Sequence, residues 1–447
     1  MGVAYSTIEA FSPPEAMEAF LSERIIAPLL PSVRVKKVKK AREGRRYEIP
    51  RVLWNVYEAT LEMADGEETQ RLFWTKAYFA DQDREHYQTR IQSLLDRRNG
   101  SPLDPKGYAR VFPELNLFVF FFPTDPQFSK LGTVYDAGAM REILLPHFAH
   151  LNPSATLGPL ASVRVKYLPE IASLLRYDAD VGEEAPLSIY GKVQHSRRGQ
   201  LTYDVMRALW DLPARVSGEL RFAEPLGYYP DYDLVLQSSL PGDEVKRDSD
   251  CFLAQCEAAG RAIAYIHNSG VTGGPTHSVD IELDKVRERM EQYRMSAPGL
   301  YLMVRDVLRQ IEAKAARLPS EEPVPSHGDY KYNQFLFDGE RFGLLDLEFF
   351  AQAEPSFDLG KYCGHLSPAA PKDWTDTALA DEGRRIFLDA YCAIRPQYRG
   401  RRFALYEAIS LTTRTLVVLW GRSRNWEYMA QTLIALAYER LKTPWGE

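Results

Sequence analysis

The sequence is poor in cysteine and contains no long apolar run. Four cysteines occur among 447 residues and none forms a Cys-x-x-Cys pair, which excludes a zinc knuckle and a disulfide framework. No run reaches the roughly 18 apolar residues of a membrane-spanning helix, and the N-terminus lacks the basic and apolar regions of a signal peptide. We therefore expect a cytoplasmic protein that does not span a membrane.

The chain also lacks a large excess of charge of either sign. It has 55 lysine and arginine residues against 61 aspartate and glutamate residues, so no broad attraction favours a nucleic-acid partner. We interpret the basic run at residues 34–40 as a solvated strand face. With 45% hydrophobic residues and no low-complexity tract, the composition is that of a globular protein of two or three domains.

The first half of the sequence is mostly strand-like. Residues 57–62 and 72–79 form a predicted hairpin, and a polar helix at 82–97 follows it. Aligning Lys76 with Lys192 shows the same order of elements around both lysines. This similarity predicts an internal duplication of one strand-turn-strand-helix-strand module.

Beyond residue 245 the sequence becomes helical. Apolar residues recur at helical spacing in 251–267, and a short strand-rich patch occupies residues 334–350. Further helices are predicted in the first half at 15–31, and in the second half at 280–293, 298–317, 382–393, 401–420 and 424–441. This order of elements indicates an α+β fold with three parts, at residues 1–150, 151–242 and 243–447.

One stretch carries the residue types of a phosphoryl-transfer site. His327-Gly328-Asp329 precedes a predicted hairpin that turns at Asp338-Gly339, and Asp346 follows the second strand. An amide, Gln334, stands five residues after Asp329. Phosphoryl transfer needs an acid that accepts the proton of the attacking hydroxyl, and an amide and a second acid that hold Mg2+. A histidine and an aspartate at a turn can also be purely structural.

These motifs resemble those of the aminoglycoside phosphotransferase, choline kinase and maltokinase superfamily. The segments that carry the resemblance are 327–334, Leu345–Glu348, Pro355–Leu359 and Gly260–His267. The resemblance implies a protein-kinase-like α+β fold of two lobes, with nucleotide binding in the β-rich lobe, residues 151–242, and a mainly helical lobe at 243–447. Residues 1–150 would be an extra α+β domain that resembles a duplicated first lobe.

The resemblance also implies roles for residues of the loop. Asp329 would be the catalytic acid that orients the acceptor hydroxyl, and Lys331 would lie near the transferred phosphate. His327 and Asp358 would be structural supports of the loop. These four positions follow the order of the family's motifs along the chain.

A set of Mg2+ ligands is implied in the same way. Asp346 would be the principal ligand, with Glu348 as a second carboxylate. Gln334 falls at the amide position, and its neighbour Asn333 would take over only if the turn were one residue tighter. A glutamine side chain still offers a carbonyl oxygen to a metal.

The nucleotide-binding residues are implied in the module around residue 192. Lys192 would contact the α and β phosphates, with Asp204 as its acidic partner on the next helix. The hinge, which bonds the adenine edge, would contain Gln237 and Ser239. The first turn of this module has no glycine, unlike most phosphate-binding loops, and the Ser173 hydroxyl is the candidate for covering the phosphates there.

Taken together, these features predict an ATP- and Mg2+-dependent kinase that phosphorylates a hydroxyl of a small molecule, such as a sugar, an aminoglycoside or a polyol. Two alternatives stay open: a catalytically weak pseudokinase that serves as a nucleotide-binding scaffold, and a kinase-fold enzyme that transfers AMP. The sequence leaves open the acceptor, the choice between ATP and GTP, the role of residues 1–150 and the oligomeric state.

Overall fold

The computed structural model describes residues 13–48, 52–97, 100–182, 185–246, 249–367, 377–421 and 425–442. Strands dominate the first half of the chain and helices dominate the second half, so the predicted α+β class is confirmed. In the part of the chain that is described, no helix is both long and apolar enough to cross a membrane.

The first half begins with a helix and a five-stranded antiparallel sheet. Helix α1 spans Pro14–Leu21 and continues through a π-helical turn at Ser22–Ile26. The next elements are β1 (Arg34–Glu48), β2 (Val52–Glu62), β3 (Glu68–Tyr78), α2 (Asp81–Arg97), β4 (Tyr108–Phe112) and β5 (Leu117–Phe121). The strand order is β1-β2-β3-β5-β4. Phe73 stacks between Tyr57 and Phe121, with ring centroids 5.2 and 5.4 Å away, and these rings form part of the core.

A second five-stranded sheet follows two short helices, α3 (Leu131–Val134) and α4 (Arg141–Leu151). Its elements are β6 (Leu160–Leu168), β7 (Ala172–Ala179), β8 (Leu187–Gln194), α5 (Ser196–Trp210), α6 (Pro213–Val216), β9 (Pro225–Tyr229) and β10 (Leu234–Ser238). The strand order is β6-β7-β8-β10-β9, which repeats the order of the first sheet. The alternating burial along β7 explains the alternating apolar and polar residues of that strand.

The two modules also share their backbone details. In each, a short 3-10 turn ends at a left-handed residue before the last strand, with φ 52° at Asn116 and φ 51° at Asp233. In the first module the Asn116 carbonyl accepts the N–H of the residue two positions after Lys76. In the second module the Asp233 carbonyl accepts the N–H of the residue two positions after Lys192. Both hydrogen bonds are 3.0 Å long. The two modules therefore share one strand order and the same turn geometry, as the predicted duplication requires.

The second half is helical and contains two small sheets. Its helices are α7 (Phe252–His267), α8 (Val279–Ser296), α9 (Pro298–Ala315), α10 (Pro355–Leu366), α11 (Thr377–Ile394), α12 (Phe403–Gly421) and α13 (Trp426–Lys442). Its strands are β11 (Asp243–Glu244), β12 (Thr276–His277), β13 (Val324–Ser326), β14 (Phe335–Phe337), β15 (Phe342–Leu344) and β16 (Ala351–Ala353). They form the sheets β11-β14-β15 and β12-β16-β13. The antiparallel pairing of β14 with β15 confirms the predicted hairpin.

The chain divides into two compact units. The first is Met1–His195 with Tyr229–Leu234, and the second is Ser196–Tyr228 with Val235–Glu447. The predicted boundary at residue 150 falls inside the first unit, since that unit holds the first module together with β6, β7 and β8. The three domains inferred from the sequence therefore stay a prediction.

Two helices of more than ten residues were absent from the sequence-based prediction. Helix α4 contains Pro146, a residue that usually ends or kinks a helix. Helix α10 begins at Pro355, which suits the first turn of a helix, but ten of its twelve residues are buried and it therefore lacks a polar face. Helical periodicity indicates amphipathic helices, so a buried helix leaves little signal in the sequence.

Candidate functional site

The loop that contains His327, Gly328 and Asp329 is held by a buried carboxylate. Asp358 lies in the first turn of α10 and is fully buried. Its carboxylate accepts the backbone N–H of His327 at 2.7 Å and that of Gly328 at 2.9 Å. A buried carboxylate needs such donors because its desolvation is otherwise costly. Asp358 therefore fixes the backbone directly before Asp329, and its role as a support of a catalytic loop stays a prediction.

The same carboxylate is paired with a buried histidine. His267, at the end of α7, has its Nε2 at 3.3 Å from Asp358 and its Nδ1 at 2.9 Å from the Tyr391 hydroxyl. Burial lowers the pKa of His267, so the ring is neutral near pH 7. Burial acts to raise the pKa of Asp358, but the hydrogen bond from His267 and the other donors outweigh it, and that pKa is lowered.

His327 connects the loop to the hairpin. Its side chain is buried, and its Nε2 lies 2.9 Å from the carbonyl oxygen of Leu345, which can only accept. The backbone N–H of Asp329 lies 3.3 Å from the other ring nitrogen, Nδ1, which must then be the acceptor. These partners assign the neutral Nε2–H tautomer. His327 thus joins the backbone of Asp329 to the residue directly before Asp346.

Residue types other than glycine do not fit at position 328. Its φ of 84° is left-handed, and a Cβ atom would overlap the carbonyl oxygen of Phe349. Its own carbonyl oxygen accepts a hydrogen bond of 2.7 Å from Lys361 Nζ. The loop can therefore approach the segment around Phe349 only with glycine here.

Asp329 is surrounded by donors. Its carboxylate lies 2.6 Å from Lys331 Nζ, 3.3 Å from Lys361 Nζ and 3.4 Å from Gln334 Nε2. Tyr330, between Asp329 and Lys331, is buried, and its hydroxyl donates to the Ala259 carbonyl at 2.6 Å. The half-buried carboxylate is therefore oriented from several sides.

The two adjacent amides differ in their surroundings. Gln334 is 8% exposed and its side chain reaches Asp329, whereas Asn333 is exposed on the same 3-10 turn. The carbonyl of Gln334 also accepts the N–H of Leu345 at 2.8 Å. The turn therefore brings Gln334, and not Asn333, to the loop and the hairpin, while its predicted role as a metal ligand stays a prediction.

The candidate metal ligands are oxygen donors. Asp346 is exposed, with a left-handed φ of 60°, and Glu348 is half-buried. Because the nitrogen of Gln334 donates to Asp329, its oxygen is left as an acceptor. Among the described residues, no three His, Cys, Asp or Glu side chains form a metal-binding group. The set fits Mg2+, which binds one or two carboxylates and completes its shell with water and substrate phosphates.

Three residues of the site were not identified from the sequence. Lys361 contacts Asp329 and stands three positions after Asp358, so both share one face of α10, and this spacing was the available signal. His267 and Tyr391 come from distant helices, and only packing brings them to Asp358. His267 ends the segment 260–267 that carries part of the resemblance, but that segment does not indicate a contact with Asp358, and no local pattern indicates Tyr391.

The candidate nucleotide-binding residues are placed as follows. Lys192 lies on β8 and is half-buried, Gln237 is half-buried on β10, and Ser239 is exposed just after that strand. Asp204 is exposed on α5 and accepts a hydrogen bond of 2.8 Å from Gln200. These four roles stay predictions.

Ser173 does not have the surroundings that its predicted role requires. It is 1% exposed, and its hydroxyl shares a hydrogen bond of 2.8 Å with that of Tyr135. A hydroxyl that covers phosphates must face solvent or ligand, so in this conformation Ser173 is a packing residue. The sequence could not show this because Tyr135 lies in the linking segment between the two modules.

Comparisons with known proteins show similarity in the same region. Residues 203–403 match the model of the phosphotransferase enzyme family, APH. No curated protein matches the chain. A putative aminoglycoside phosphotransferase from Ralstonia eutropha JMP134 has a TM-score of 0.49 at 15% identity, covering 67% of this chain and 98% of that one.

Two kinases are also similar to this chain. A choline/ethanolamine kinase family protein from Mesorhizobium loti has a TM-score of 0.43 at 17% identity, covering 68% of this chain and 96% of that one. A choline kinase from Cryptosporidium parvum Iowa II has a TM-score of 0.46 at 15% identity, covering 69% and 95%.

The family match supports a phosphotransferase. It covers all of the loop and the hairpin, as well as Asp358 and Lys361. The resemblance inferred from the motifs is thereby confirmed: residues 203–403 carry the pattern of the phosphotransferase enzyme family.

Proposed function

We propose that the protein is an ATP- and Mg2+-dependent phosphotransferase that phosphorylates a hydroxyl of a small molecule, such as a sugar, an aminoglycoside or a polyol. The observation that carries the proposal is the oriented carboxylate of Asp329, with two lysines and an amide around it and a buried carboxylate fixing the backbone before it. All four cysteines are free thiols, which suits a reducing compartment such as the cytoplasm.

Asp329 would receive the acceptor hydroxyl and its proton. The hydroxyl oxygen forms a bond to the γ-phosphorus while the bond from that phosphorus to the bridging oxygen of the β-phosphate breaks. The hydroxyl proton passes to the Asp329 carboxylate, and ADP leaves with the electron pair. Most of the catalytic effect in such a reaction comes from position and charge, and the fixed loop supplies the position.

Lysine and metal would neutralise the developing charge. Lys331 is close enough to Asp329 to reach the group in transfer, and Lys361 steadies both the carboxylate and the Gly328 carbonyl. Asp346, Gln334 and Glu348 would hold Mg2+, which supplies charge neutralisation to the phosphates when bound. Lys192 keeps its proposed role at the α and β phosphates.

The test is acceptor-dependent release of ADP. The protein is incubated with ATP, Mg2+ and a panel of sugars, aminoglycosides and polyols, and the acceptor is examined for added phosphate by mass spectrometry. Asp329→Asn should lower kcat by about a hundredfold or more, the usual contribution of a general base. The matched control is Asp284→Asn, which removes an exposed carboxylate paired with Arg287 and should leave kcat unchanged.

Other results would contradict the proposal in distinct ways. A rise in melting temperature with ATP and Mg2+, but no ADP release with any acceptor, would indicate a nucleotide-binding scaffold. A mass increase of one AMP on a protein would indicate AMP transfer. Equal ADP release by wild type and Asp329→Asn would remove Asp329 from the catalytic step.

A further inference from the structure

The first module holds a lysine in the same position as the candidate nucleotide lysine of the second module. Lys76 and Lys192 both lie on the third strand of their modules. Two residues after each lysine, a backbone N–H donates to the carbonyl of the left-handed residue, Asn116 or Asp233. Lys76 is 5% exposed, so its ammonium needs an anion nearby. A glutamate of the same compact unit supplies this anion.

That anion is Glu170, in the turn between β6 and β7. Its carboxylate lies 2.5 Å from Lys76 Nζ and accepts a hydrogen bond of 2.8 Å from the Tyr87 hydroxyl. Lys76 Nζ also lies over three aromatic rings, 3.8 Å from the centroid of Tyr87, 4.9 Å from that of Trp54 and 5.5 Å from that of Tyr78. The lysine and its rings thus form a carboxylate-binding site, and Glu170 occupies it.

The backbone of the same turn is also bound to the first module. Glu170 is left-handed at φ 60°, a conformation that is unfavourable for glutamate, and its N–H donates to Asp125 at 2.9 Å. Asp125 is 2% exposed, and it also accepts from the Tyr167 hydroxyl at 2.7 Å and from the Gln127 N–H at 2.7 Å. Residues 123–126 thus place the Asp125 carboxylate next to this turn.

The negative charge of Glu170 would affect the binding of a nucleotide. The turn between β6 and β7 corresponds to the phosphate-covering turn of the proposed phosphotransferase. An unpaired carboxylate there would repel the phosphates of ATP. In the structure the Glu170 carboxylate is paired with Lys76 at 2.5 Å and with the more exposed Arg90 at 3.5 Å, and its side chain is 13% exposed.

We propose that the first module positions the phosphate-covering turn of the second, with Lys76 as the positioning residue that binds Glu170 and keeps its charge from the nucleotide. The inference rests on the proposed function for its effect on ATP, but the contact itself can be tested without turnover. The role of the first module would then be to hold in place a turn that has no glycine.

The experiment uses three variants of the full chain and one control. Lys76→Met removes the positive charge, Glu170→Gln removes the negative charge, and the double variant removes both. Lys36→Met is the control, because Lys36 pairs with Glu68 on the exposed surface of the same module. The measurements are KM for ATP, KM for the acceptor, kcat, and deuterium exchange of amides 170–173.

Lys76→Met should speed amide exchange in the turn and raise KM for ATP by roughly threefold to tenfold, the size expected of screened repulsion from a released carboxylate. Adding Glu170→Gln should reverse most of the rise in KM, because the repelling charge is then gone. The KM for the acceptor and the control variant should not change. A purely structural role would not produce this charge-dependent rescue.

Two results would overturn the inference. One is unchanged turn exchange in Lys76→Met, which would show that the contact does not hold the turn. The other is a rise in KM for ATP that Glu170→Gln fails to reverse. If the wild type releases no ADP with any acceptor, the proposed function fails. The exchange data, together with the ATP-dependent melting shift of each variant, then still decide the inference.

Discussion

Asp358 offers the sharpest test of how the catalytic loop is held, because three donors converge on one buried carboxylate. Asp358→Asn keeps the size of the side chain but replaces one oxygen by a donor. The less disruptive orientation places the amide nitrogen at Oδ1, opposite the N–H of Gly328, and keeps the oxygen that His327 and His267 approach. In either orientation a buried N–H faces another donor.

The magnitude follows from these contacts. A buried N–H left without an acceptor costs about 1–3 kcal/mol, and each of the two remaining bonds loses about 1 kcal/mol when its acceptor changes from charged to neutral. The sum is roughly 3–5 kcal/mol, a large share of the ~5–15 kcal/mol that stabilises a typical domain. We therefore expect a protein that still folds but has a weakened loop and lower kcat.

The assay is urea unfolding followed by circular dichroism, together with ADP release under saturating substrates. Asp136→Asn is the matched control, because Asp136 also accepts two backbone N–H groups, from Gly138 and Ala139 at 3.0 Å each, but is exposed. That control should change the free energy of unfolding by about 0.5 kcal/mol or less. The reasoning is refuted if Asp358→Asn is no more destabilising than Asp136→Asn.

Two further predictions concern the same site. Gln334→Ala should impair Mg2+-dependent turnover more than Asn333→Ala, because of these two residues Gln334 is the one that is buried and bonded to Asp329. The measurement is kcat across a Mg2+ titration. If Asn333→Ala impairs turnover more, the predicted register of the turn is wrong. The pKa of buried His267 is lowered in the folded state, so the unfolded chain binds more protons below pH ~6.5 and stability must fall as pH decreases from there. Urea midpoints at pH 7 and pH 5 should therefore differ less in His267→Gln than in wild type, and an unchanged difference would mean that His267 is not the group responsible.

The spacing of the motifs predicted the loop and hairpin well because these contacts are short in sequence. Gln334 bonds Asp329 within one turn, and the β14–β15 hairpin returns the chain to Leu345, next to His327. Such contacts depend on turn chemistry that a sequence displays directly. The repeated module could be recognised for a similar reason, since the same order of elements surrounds Lys76 and Lys192.

Contacts between distant segments could not be predicted in this way. His267 and Tyr391 are 124 residues apart in sequence, yet their hydrogen bond of 2.9 Å holds the ring that faces Asp358. Ser173 was assigned to the phosphates because it stands at the right turn, whereas its hydroxyl is bonded to Tyr135. In each case the deciding partner comes from an element whose position depends on packing, and packing is not encoded by local periodicity.

The duplication also explains why Lys76 is where it is. Lys76 is nearly buried on the third strand of its module, and no described catalytic half follows that module to bring phosphates to it. A buried ammonium without an anion would destabilise the sheet, so the lysine persists only if another negative group replaces the phosphates. Glu170 is such a group, and it stands in a turn of the second module that has no glycine. The missing glycine and the retained lysine are therefore two parts of a single arrangement, in which one copy of the module binds the turn of the other.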